Sequence, residues 1–155
     1  MNNKKIKYIT LLFVAAGLLI GSNHINSKME EEKGSVTIEQ NLLDFFNASH
    51  TEEIILAAQA DLNMDGKEDA VIIYKETESS NKMRAVITDG SGYHLTEPVP
   101  APMENQEIKF KDIDEKDEME FIVSGEKNGN VGFAIFRIEG LKAVDLFGEG
   151  MESCC

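Results

Sequence analysis

Short apolar runs separated by polar turns follow one another along most of the chain. Residues 54–58 and 71–74 are apolar and partly β-branched, and each run spans only four or five residues. Apolar runs of this length, bounded by turn residues, are typical of strands rather than helices. The pattern therefore predicts a mainly β fold. Further strands are predicted at 83–88, 93–95, 121–123, 131–138 and 142–147, with turns at 89–92, 128–129 and 139–140.

One stretch has helical periodicity instead. Thr37 and Gln40 have the spacing of a capping box, and the apolar residues around them recur on one helical face. We expect a short helix that ends near Asn47 and covers one face of a sheet, because a helix of this length is stabilised mainly by packing. Its apolar stripe comprises Ile38, Leu42, Leu43, Phe45 and Phe46.

The first 35 residues have the pattern of a targeting segment followed by a linker. Three lysines among the first seven residues precede a largely apolar stretch, as in an export signal whose basic end stays inside. Residues 1–22 are therefore predicted to be a cleaved signal peptide or a retained membrane anchor, and the polar residues 23–35 a linker. The expected location is extracytoplasmic, membrane-anchored or secreted, at a bacterial cell surface.

The rest of the chain is long enough for one β domain, predicted at 36–150, with a short tail at 151–155. Fifteen basic and 28 acidic residues give a net charge of −13, which repels a phosphate backbone. We therefore expect no nucleic-acid partner. Serine-nucleophile, phosphate-loop and zinc-finger spacings are also missing from the sequence, so no catalytic residue is assigned and an enzyme is not expected.

Candidate metal chemistry is concentrated in residues 61–69. Oxygen-bearing side chains occupy positions 1, 3, 5 and 9 of this stretch, and Gly66 occupies position 6, where a loop around an ion turns sharply. Calcium takes about six to eight oxygen ligands, so the spacing predicts a calcium site with an affinity of roughly 0.1 to 1 mM. The alternative is an acidic turn without an ion. The predicted ligands are Asp61, Asn63, Asp65, Asp69 and the main-chain carbonyl of Lys67.

This loop differs from a helix-loop-helix calcium hand. Position 12 is Ile72 instead of a bidentate Glu, and both flanking segments are predicted strands. Residues 61–69 with the following apolar run resemble the DxNxDGxxD element of FG-GAP and VCBS-type repeats. The resemblance implies a calcium loop that joins two strands of a propeller-like sheet.

A degenerate copy of the loop lies 51 residues further along, at 112–120. Positions 1, 3 and 9 again carry carboxylates, but Lys116 occupies position 5 and position 6 is not glycine. We expect the Lys116 ammonium to stand in place of an ion and to neutralise Asp112, Asp114 and Glu120. This second loop is therefore predicted to bind no calcium.

The two loops divide the domain into degenerate repeats at 61–97 and 112–147. The proline-rich segment 97–102 separates them and is expected to break regular structure. Two repeats are too few to close a propeller, which usually needs about four blades or more. We therefore expect a small antiparallel sheet or two packed sheets of FG-GAP/VCBS-like repeats, with one N-terminal helix packed against them.

The two cysteines of the chain are its last two residues, Cys154 and Cys155. Neighbouring Cα atoms lie about 3.8 Å apart, below the roughly 4.4 to 6.8 Å of a disulfide, so a bridge between them would be strained. Two thiols on an exposed, mobile tip are suited to capture of a soft metal such as mercury, copper(I), zinc or cadmium, or to thiol-disulfide exchange. The alternative is an inert tail or an intermolecular disulfide.

A hydrophobic N-terminal segment, an acidic domain with DxNxDGxxD and a Cys-Cys-COOH end together resemble the Cys-Cys-COOH (seleno)protein SaoC family of selenocysteine-assisted organometal metabolism. The resemblance implies mercury or an organomercurial as cargo. The final pair, Cys154 and Cys155, is also similar to the terminal cysteine pair of mercuric reductases. Some members of the SaoC family have selenocysteine near the terminus, whereas both positions are cysteine here.

The leading interpretation is an exported soft-metal or organometal binding and transfer protein, in which a calcium-stabilised β domain displays a vicinal dithiol. The expected partners are the membrane, through the N-terminal segment, and a transporter or an organometal-processing enzyme. Two alternatives remain. One is a thiol-disulfide redox protein that works with a thioredoxin-like partner, and the other is a calcium-dependent surface interaction module.

Overall fold

The computed structural model describes residues 38–116 and 118–155. The predicted signal or anchor at 1–22 and the linker at 23–35 lie outside the described residues. Neither helix in the described part is long and apolar enough to cross a membrane. In chain order the elements are α1 (Gln40–Asn47), β1 (Ile54–Ala60), β2 (Asp69–Thr77), β3 (Ser80–Asp89), β4 (Gly92–Leu95), β5 (Val99–Ala101), β6 (Glu104–Phe110), β7 (Phe121–Lys127), β8 (Asn130–Glu139), β9 (Lys142–Glu149) and α2 (Met151–Cys154).

The nine strands of the described residues form two antiparallel sheets with matching connectivity. Sheet A has the order β1-β2-β3-β4, with β5 also paired to β3, and sheet B has the order β6-β7-β8-β9. In each sheet an acidic loop joins the first strand to the second, and two hairpins follow. The prediction of a mainly β fold is confirmed, in its two-sheet form.

Apolar side chains from both sheets meet in one core between them. Val71 and Ile73 of β2 and Phe121 and Val123 of β7 are fully buried there. Alternate residues of each strand face this core because successive side chains point to opposite faces of a sheet. The core is completed by Leu62, Met83, Ala85, Ile87, Ala101, Ala134, Phe136 and Ile138.

Helix α1 covers the opposite face of sheet A. Leu42 and Phe46 are fully buried against Ile72 and Tyr74 of β2, and the rings of Phe46 and Tyr74 lie 5.4 Å apart. Strand β2 is therefore buried on both faces. This double burial explains why its sequence is a continuous apolar run instead of an alternation of apolar and polar residues.

The start of α1 differs from the prediction. The N-cap residue is Glu39, and no side chain caps the first turn. Gln40 Nε2 donates to Asp44 Oδ1 at 2.8 Å, whereas the predicted capping residue, Thr37, lies outside the described residues. The capping-box prediction is wrong at Gln40, because a contact four residues along the helix surface satisfies its amide.

Two strands depart from the sequence prediction. The proline-rich segment contains β5, where Pro100 lies opposite Lys82 of β3, so the predicted break is wrong at these residues. Proline is tolerated on an edge strand because its missing N–H does not interrupt a central ladder. Strand β6 escaped prediction because most of its residues are polar, and it lies at the edge of sheet B beside β7.

Candidate metal-binding sites

The loop between β1 and β2 folds around its own polar side chains. Met64 and Gly66 both adopt positive φ, 56° and 85°, which turns the chain back on itself. The Asp61 carboxylate accepts hydrogen bonds from the N–H of Asp65 at 3.0 Å and from that of Gly66 at 2.8 Å. Asn63 Oδ1 accepts from the same Asp65 N–H at 3.0 Å. Oxygens from the first and third loop positions therefore converge on one backbone amide.

Asp69, the ninth residue of the loop, is fully buried at the start of β2. Its oxygens accept hydrogen bonds from the N–H of Leu62 at 2.9 Å and from that of Thr88 at 2.6 Å. Burial raises the pKa of Asp69 to about 6, against the lowering effect of these hydrogen bonds. A nearby cation would be favourable, because its charge would offset the cost of burying a carboxylate.

The donor set of this first loop contains the oxygen types that calcium takes, although its carboxylates at Asp61, Asp65 and Asp69 do not all lie within 4.8 Å of one another. Asp61, Asn63 and Asp65 accept hydrogen bonds from N–H groups of the loop itself, so their oxygens lie on its inner side. Hard cations prefer such carboxylate and amide oxygens. The Lys67 ammonium lies 3.8 Å from Asp65 in an exposed ion pair, and the predicted donor of this residue is its main-chain carbonyl. Calcium held by these groups and Asp69 would brace the connection between β1 and β2.

The loop between β6 and β7 repeats two features of the first loop. Its fourth residue, Glu115, has a φ of 56°, the same value as Met64 at the fourth position of the first loop. The N–H of Ile113, the second residue of this loop, donates to Oε2 of the ninth residue, Glu120, at 2.8 Å. The second and ninth residues of the first loop make the same contact. The two loops therefore share these two features, whereas Asp112 accepts from the N–H of the fourth loop residue, at 2.7 Å, and Asp61 accepts from those of the fifth and sixth.

A protein cation is bound in the second loop. Within residues 38–116 and 118–155, the one trio of candidate ligands whose donor atoms lie within 4.8 Å of one another is Asp112, Asp114 and Glu120. Arg137 Nη1 lies 3.0 Å from Asp114 Oδ2 and 3.3 Å from Glu120 Oε1. Among the described residues, Lys116 Nζ contacts the carboxylate of Asp114 alone, at 2.6 Å, and its side chain is 66% exposed, against 16% for Arg137. The expectation that Lys116 neutralises all three carboxylates is wrong, since Arg137 is the counter-ion of buried Glu120.

Strand pairing brings Arg137 to this loop from 17 residues beyond Glu120. The residue of β3 that corresponds to Arg137 is Ile87. Val86 pairs with the first residue after the first loop, and Phe136 pairs with the first residue after the second, so the residues that follow them, Ile87 and Arg137, are equivalent. The first loop therefore keeps its acidic side chains without an arginine from the neighbouring strand.

Three sulfur atoms meet at the last residues of the sequence. Cys154 Sγ lies 3.2 Å from Cys155 Sγ, and Met151 Sδ lies 3.6 Å from Cys154 Sγ and 4.0 Å from Cys155 Sγ. Both cysteines are free thiols. Helix α2 produces this cluster, because residues three apart in a helix lie on the same face and Cys155 follows the helix directly.

The two thiols do not lie on a mobile tip. Cys154 is fully buried, Cys155 is half-buried, and α2 packs against β7 and β8. The N–H of Met103 donates to the carbonyl of Cys154 at 3.2 Å, and Lys127 Nζ donates to a main-chain oxygen of Cys155 at 3.2 Å. The prediction of an exposed, mobile tip is therefore wrong, because main-chain hydrogen bonds hold this segment against the sheets.

Gly132 of β8 allows α2 to pack this closely. A Cβ atom at this position would lie 2.7 Å from the carbonyl carbon of Gly150 and 2.8 Å from Cys154 Sγ. Gly150 has a φ of 69° and is the N-cap residue of α2. Glycine at both positions lets the backbone of β8 touch the start of the helix.

The protonated thiol is the stable form of Cys155 at neutral pH. Burial, followed by the hydrogen bond with Cys154, raises the pKa of Cys155 to about 12, against the opposing effect of the Lys127 ammonium. A protonated thiol is a poor nucleophile, whereas a metal displaces the proton as it binds. The environment of the pair therefore suits metal capture better than rapid thiol-disulfide exchange.

A cleft of about 510 Å³ opens beside the sulfur cluster, and Met151 and Cys155 form part of its wall. Both sheets contribute to it, since β5 belongs to sheet A while β8 and β9 belong to sheet B. Much of the lining is apolar, with charged groups of Lys82, Asp145 and Glu152 among it. The apolar lining residues are Val99, Pro100, Ala134, Phe136 and Ala143.

Sequence reasoning missed three residues of these sites, namely Arg137, Gly132 and Met151. The spacing of Met151 and Cys154 was a usable signal, because residues three apart share a helical face. Arg137 and Gly132 had no comparable local signal, since both act across strand pairing or packing.

Comparison with known proteins identifies no relative of this chain. No protein-family model, no curated protein and no solved structure matches it.

Proposed function

We propose that this chain is an exported protein that binds and transfers a soft metal ion or organometal of the mercury type through the thiols of Cys154 and Cys155. The observation that carries the proposal is the pair of free thiols, 3.2 Å apart, beside a largely apolar cleft. Soft thiolate sulfur selects soft metals. The β domain serves as the scaffold that presents the pair to the cleft.

The burial of the pair favours a bound metal over free thiolates. Cys154 is fully buried and the pKa of Cys155 is raised to about 12, so two uncompensated thiolates would be costly in this environment. A divalent soft ion that displaces both thiol protons brings two positive charges to two negative ones. The resulting complex is neutral, which is the form that a buried site tolerates best.

Two resemblances support the proposal. The Cys-Cys-COOH end resembles the SaoC family, for which an organomercurial cargo is implied. The first acidic loop resembles the calcium loops of FG-GAP and VCBS-type repeats, so we assign calcium a structural role at Asp61, Asn63, Asp65 and Asp69. An export signal or anchor at 1–22 would hold the domain outside the cytoplasm, where a membrane transporter or an organometal-processing enzyme is the recipient.

Mercury(II) titration in the presence of a competing small thiol tests the function. Wild-type protein should retain about one equivalent of mercury(II) per chain through gel filtration, because two adjacent thiols outcompete single ones. The double variant Cys154→Ser, Cys155→Ser should retain none. Ser153→Ala, at an exposed position of the same helix, is the matched control and should retain as much metal as wild type.

Equal retention by the double-serine variant would contradict the proposal. Metal-independent reduction of a disulfide substrate, regenerated by a thioredoxin-like partner, would instead support the redox alternative. Calcium-dependent surface adhesion that survives removal of residues 151–155 would support the interaction-module alternative.

Calcium should stabilise the wild-type domain, and Asp65→Ala should abolish the effect. With an affinity of roughly 0.1 to 1 mM, 10 mM calcium adds about 1.4 to 2.7 kcal/mol to the free energy of unfolding. Asp65→Ala removes one of the three predicted carboxylate ligands, whereas the control Glu68→Ala removes a carboxylate outside the predicted ligand positions. Thermal melts with and without calcium measure both variants. An unchanged wild-type Tm in calcium would show that the loop assignment is wrong.

A further inference from the structure

We propose that Met151 supplies a third sulfur ligand to the thiol pair, so that the site takes a monovalent soft cation, copper(I), in three-coordinate form. This inference rests on the proposed metal-binding function of Cys154 and Cys155 and extends it to a ligand and a class of metal. Its basis is the distance from the Met151 thioether to both thiols, 3.6 Å and 4.0 Å.

The spacing of the three sulfur atoms is close to that of a trigonal site. A metal–sulfur bond of about 2.3 Å, with the metal at the centre of a triangle, puts the sulfur atoms about 4.0 Å apart. The observed separations are 3.2, 3.6 and 4.0 Å. Each sulfur atom therefore needs to move by less than 1 Å, which side-chain rotation supplies without unfolding α2.

The local sequence makes this cluster self-contained. Met151 and Cys154 lie on one face of a single helical turn, and Cys155 follows immediately. The turn is anchored at both ends, by the packing of Gly150 on Gly132 and by the hydrogen bond from Lys127 to a main-chain oxygen of Cys155. A cluster held in this way is preorganised, so little conformational entropy is lost when the metal binds.

The type of donor atom discriminates between metals. A thioether is neutral and soft, and together with thiolates it selects copper(I). Copper(I) that displaces both thiol protons to solvent leaves one net negative charge, which the Lys127 ammonium beside Cys155 offsets. Zinc favours four ligands drawn from thiolate, imidazole and carboxylate groups, and within the described residues the two thiols contact neither an imidazole nor a carboxylate. Mercury(II) needs only the two thiolates for a neutral complex, so its binding should not depend on Met151.

The position of the cluster gives an ion a route to all three sulfur atoms. Met151 and Cys155 line the cleft, while Cys154 is fully buried behind them. An ion that arrives through the cleft meets the thioether and the outer thiol first and then reaches the inner thiol.

Copper(I) titration of the full chain against a competing copper(I) chelator, under anaerobic reducing conditions, tests the inference. Met151→Leu conserves side-chain volume, a change that cores generally tolerate, and should weaken copper(I) binding at least about tenfold while leaving mercury(II) retention unchanged. Ser153→Ala should bind both metals as wild type does. X-ray absorption of the copper(I) complex should show three sulfur neighbours in wild type and two in Met151→Leu.

The outcomes separate this inference from the proposed function. Wild-type copper(I) affinity in Met151→Leu, or two sulfur neighbours in the wild-type complex, would overturn the role of Met151 while the thiol pair remains the metal site. Copper(I) and mercury(II) retention by the variant Cys154→Ser, Cys155→Ser would overturn the proposed function itself. A circular dichroism melt of each variant checks that the fold is preserved.

Discussion

Replacing Phe121 with alanine is expected to lower the free energy of unfolding by about 3 to 5 kcal/mol. Phe121 is fully buried between the sheets, and its ring lies 5.6 Å from that of Phe136 and 6.5 Å from that of Phe110. It is also the first residue of β7 after the second acidic loop. Its removal leaves a cavity that neither sheet can close, because both are held by their own hydrogen-bond ladders. Urea denaturation of the purified domain measures the loss.

Phe147→Ala is the matched control for this prediction. Phe147 is 55% exposed on edge strand β9 and contacts Phe133, with ring centroids 5.8 Å apart. Its loss should cost about 1 kcal/mol, the value of one aromatic pair. Equal destabilisation by the two substitutions would mean that the core between the sheets is assigned incorrectly.

Gly132→Ala is expected to displace α2 and expose Cys154. The added Cβ atom would lie 2.7 Å from the Gly150 backbone and 2.8 Å from Cys154 Sγ, so the helix has to move away from β8. Overpacking of this kind costs about 1 to 3 kcal/mol. If this free energy is lost from the docked state of α2 relative to a locally opened state, the fraction of molecules with α2 open rises about 5- to 150-fold. Maleimide labelling of both thiols should then be faster than in wild type, because opening of α2 exposes them to solvent.

Gly90→Ala provides the control, since no atom lies within 4 Å of a Cβ built at that position and its φ is not in the left-handed region. This variant should keep the slow labelling of Cys154. The docked position of α2 would be refuted by unchanged labelling of Cys154 in Gly132→Ala, or by fast labelling of both thiols in wild type.

The two acidic loops show how one backbone motif acquires different chemistry. Both place the carboxylate of the ninth residue against the N–H of the second, and both have a fourth residue with a φ of 56°. They differ in the strand beside them, which presents Ile87 to the first loop and Arg137 to the second. A guanidinium that contacts two of the carboxylates removes the need for an external ion.

Most of the strands were predictable from local pattern. Runs such as 71–74 and 131–138 lie in β2 and β8, and the turn at 128–129 joins β7 to β8. Strands β5 and β6 were not, because the first contains Pro100 and the second is mainly polar. Edge strands need fewer apolar residues and fewer donors than central ones, so their sequences carry a weaker signal.

The candidate sites likewise contain some features that local sequence predicts and others that it does not. Asp61, Asn63 and Asp65 belong to one continuous stretch, and the convergence of the Asp61 and Asn63 side chains on the Asp65 N–H follows from spacing and a glycine turn. The counter-ion Arg137 reaches its loop only through the pairing of β7 with β8. The exposure of the cysteines was predicted incorrectly, because burial depends on Gly132, Met103 and other groups distant in sequence.

The sequence by itself determined the strand content, the helix that packs on the sheet, the acidic loop with its oxygen donors and the pairing of Cys154 with Cys155. These features depend on residue type and on separations of a few positions, which a linear pattern records. Only the tertiary structure decided that the thiols are docked, that Met151 joins them and that Arg137 neutralises the second loop. Each of these depends on contacts between segments that only the packing of sheets and helices brings together.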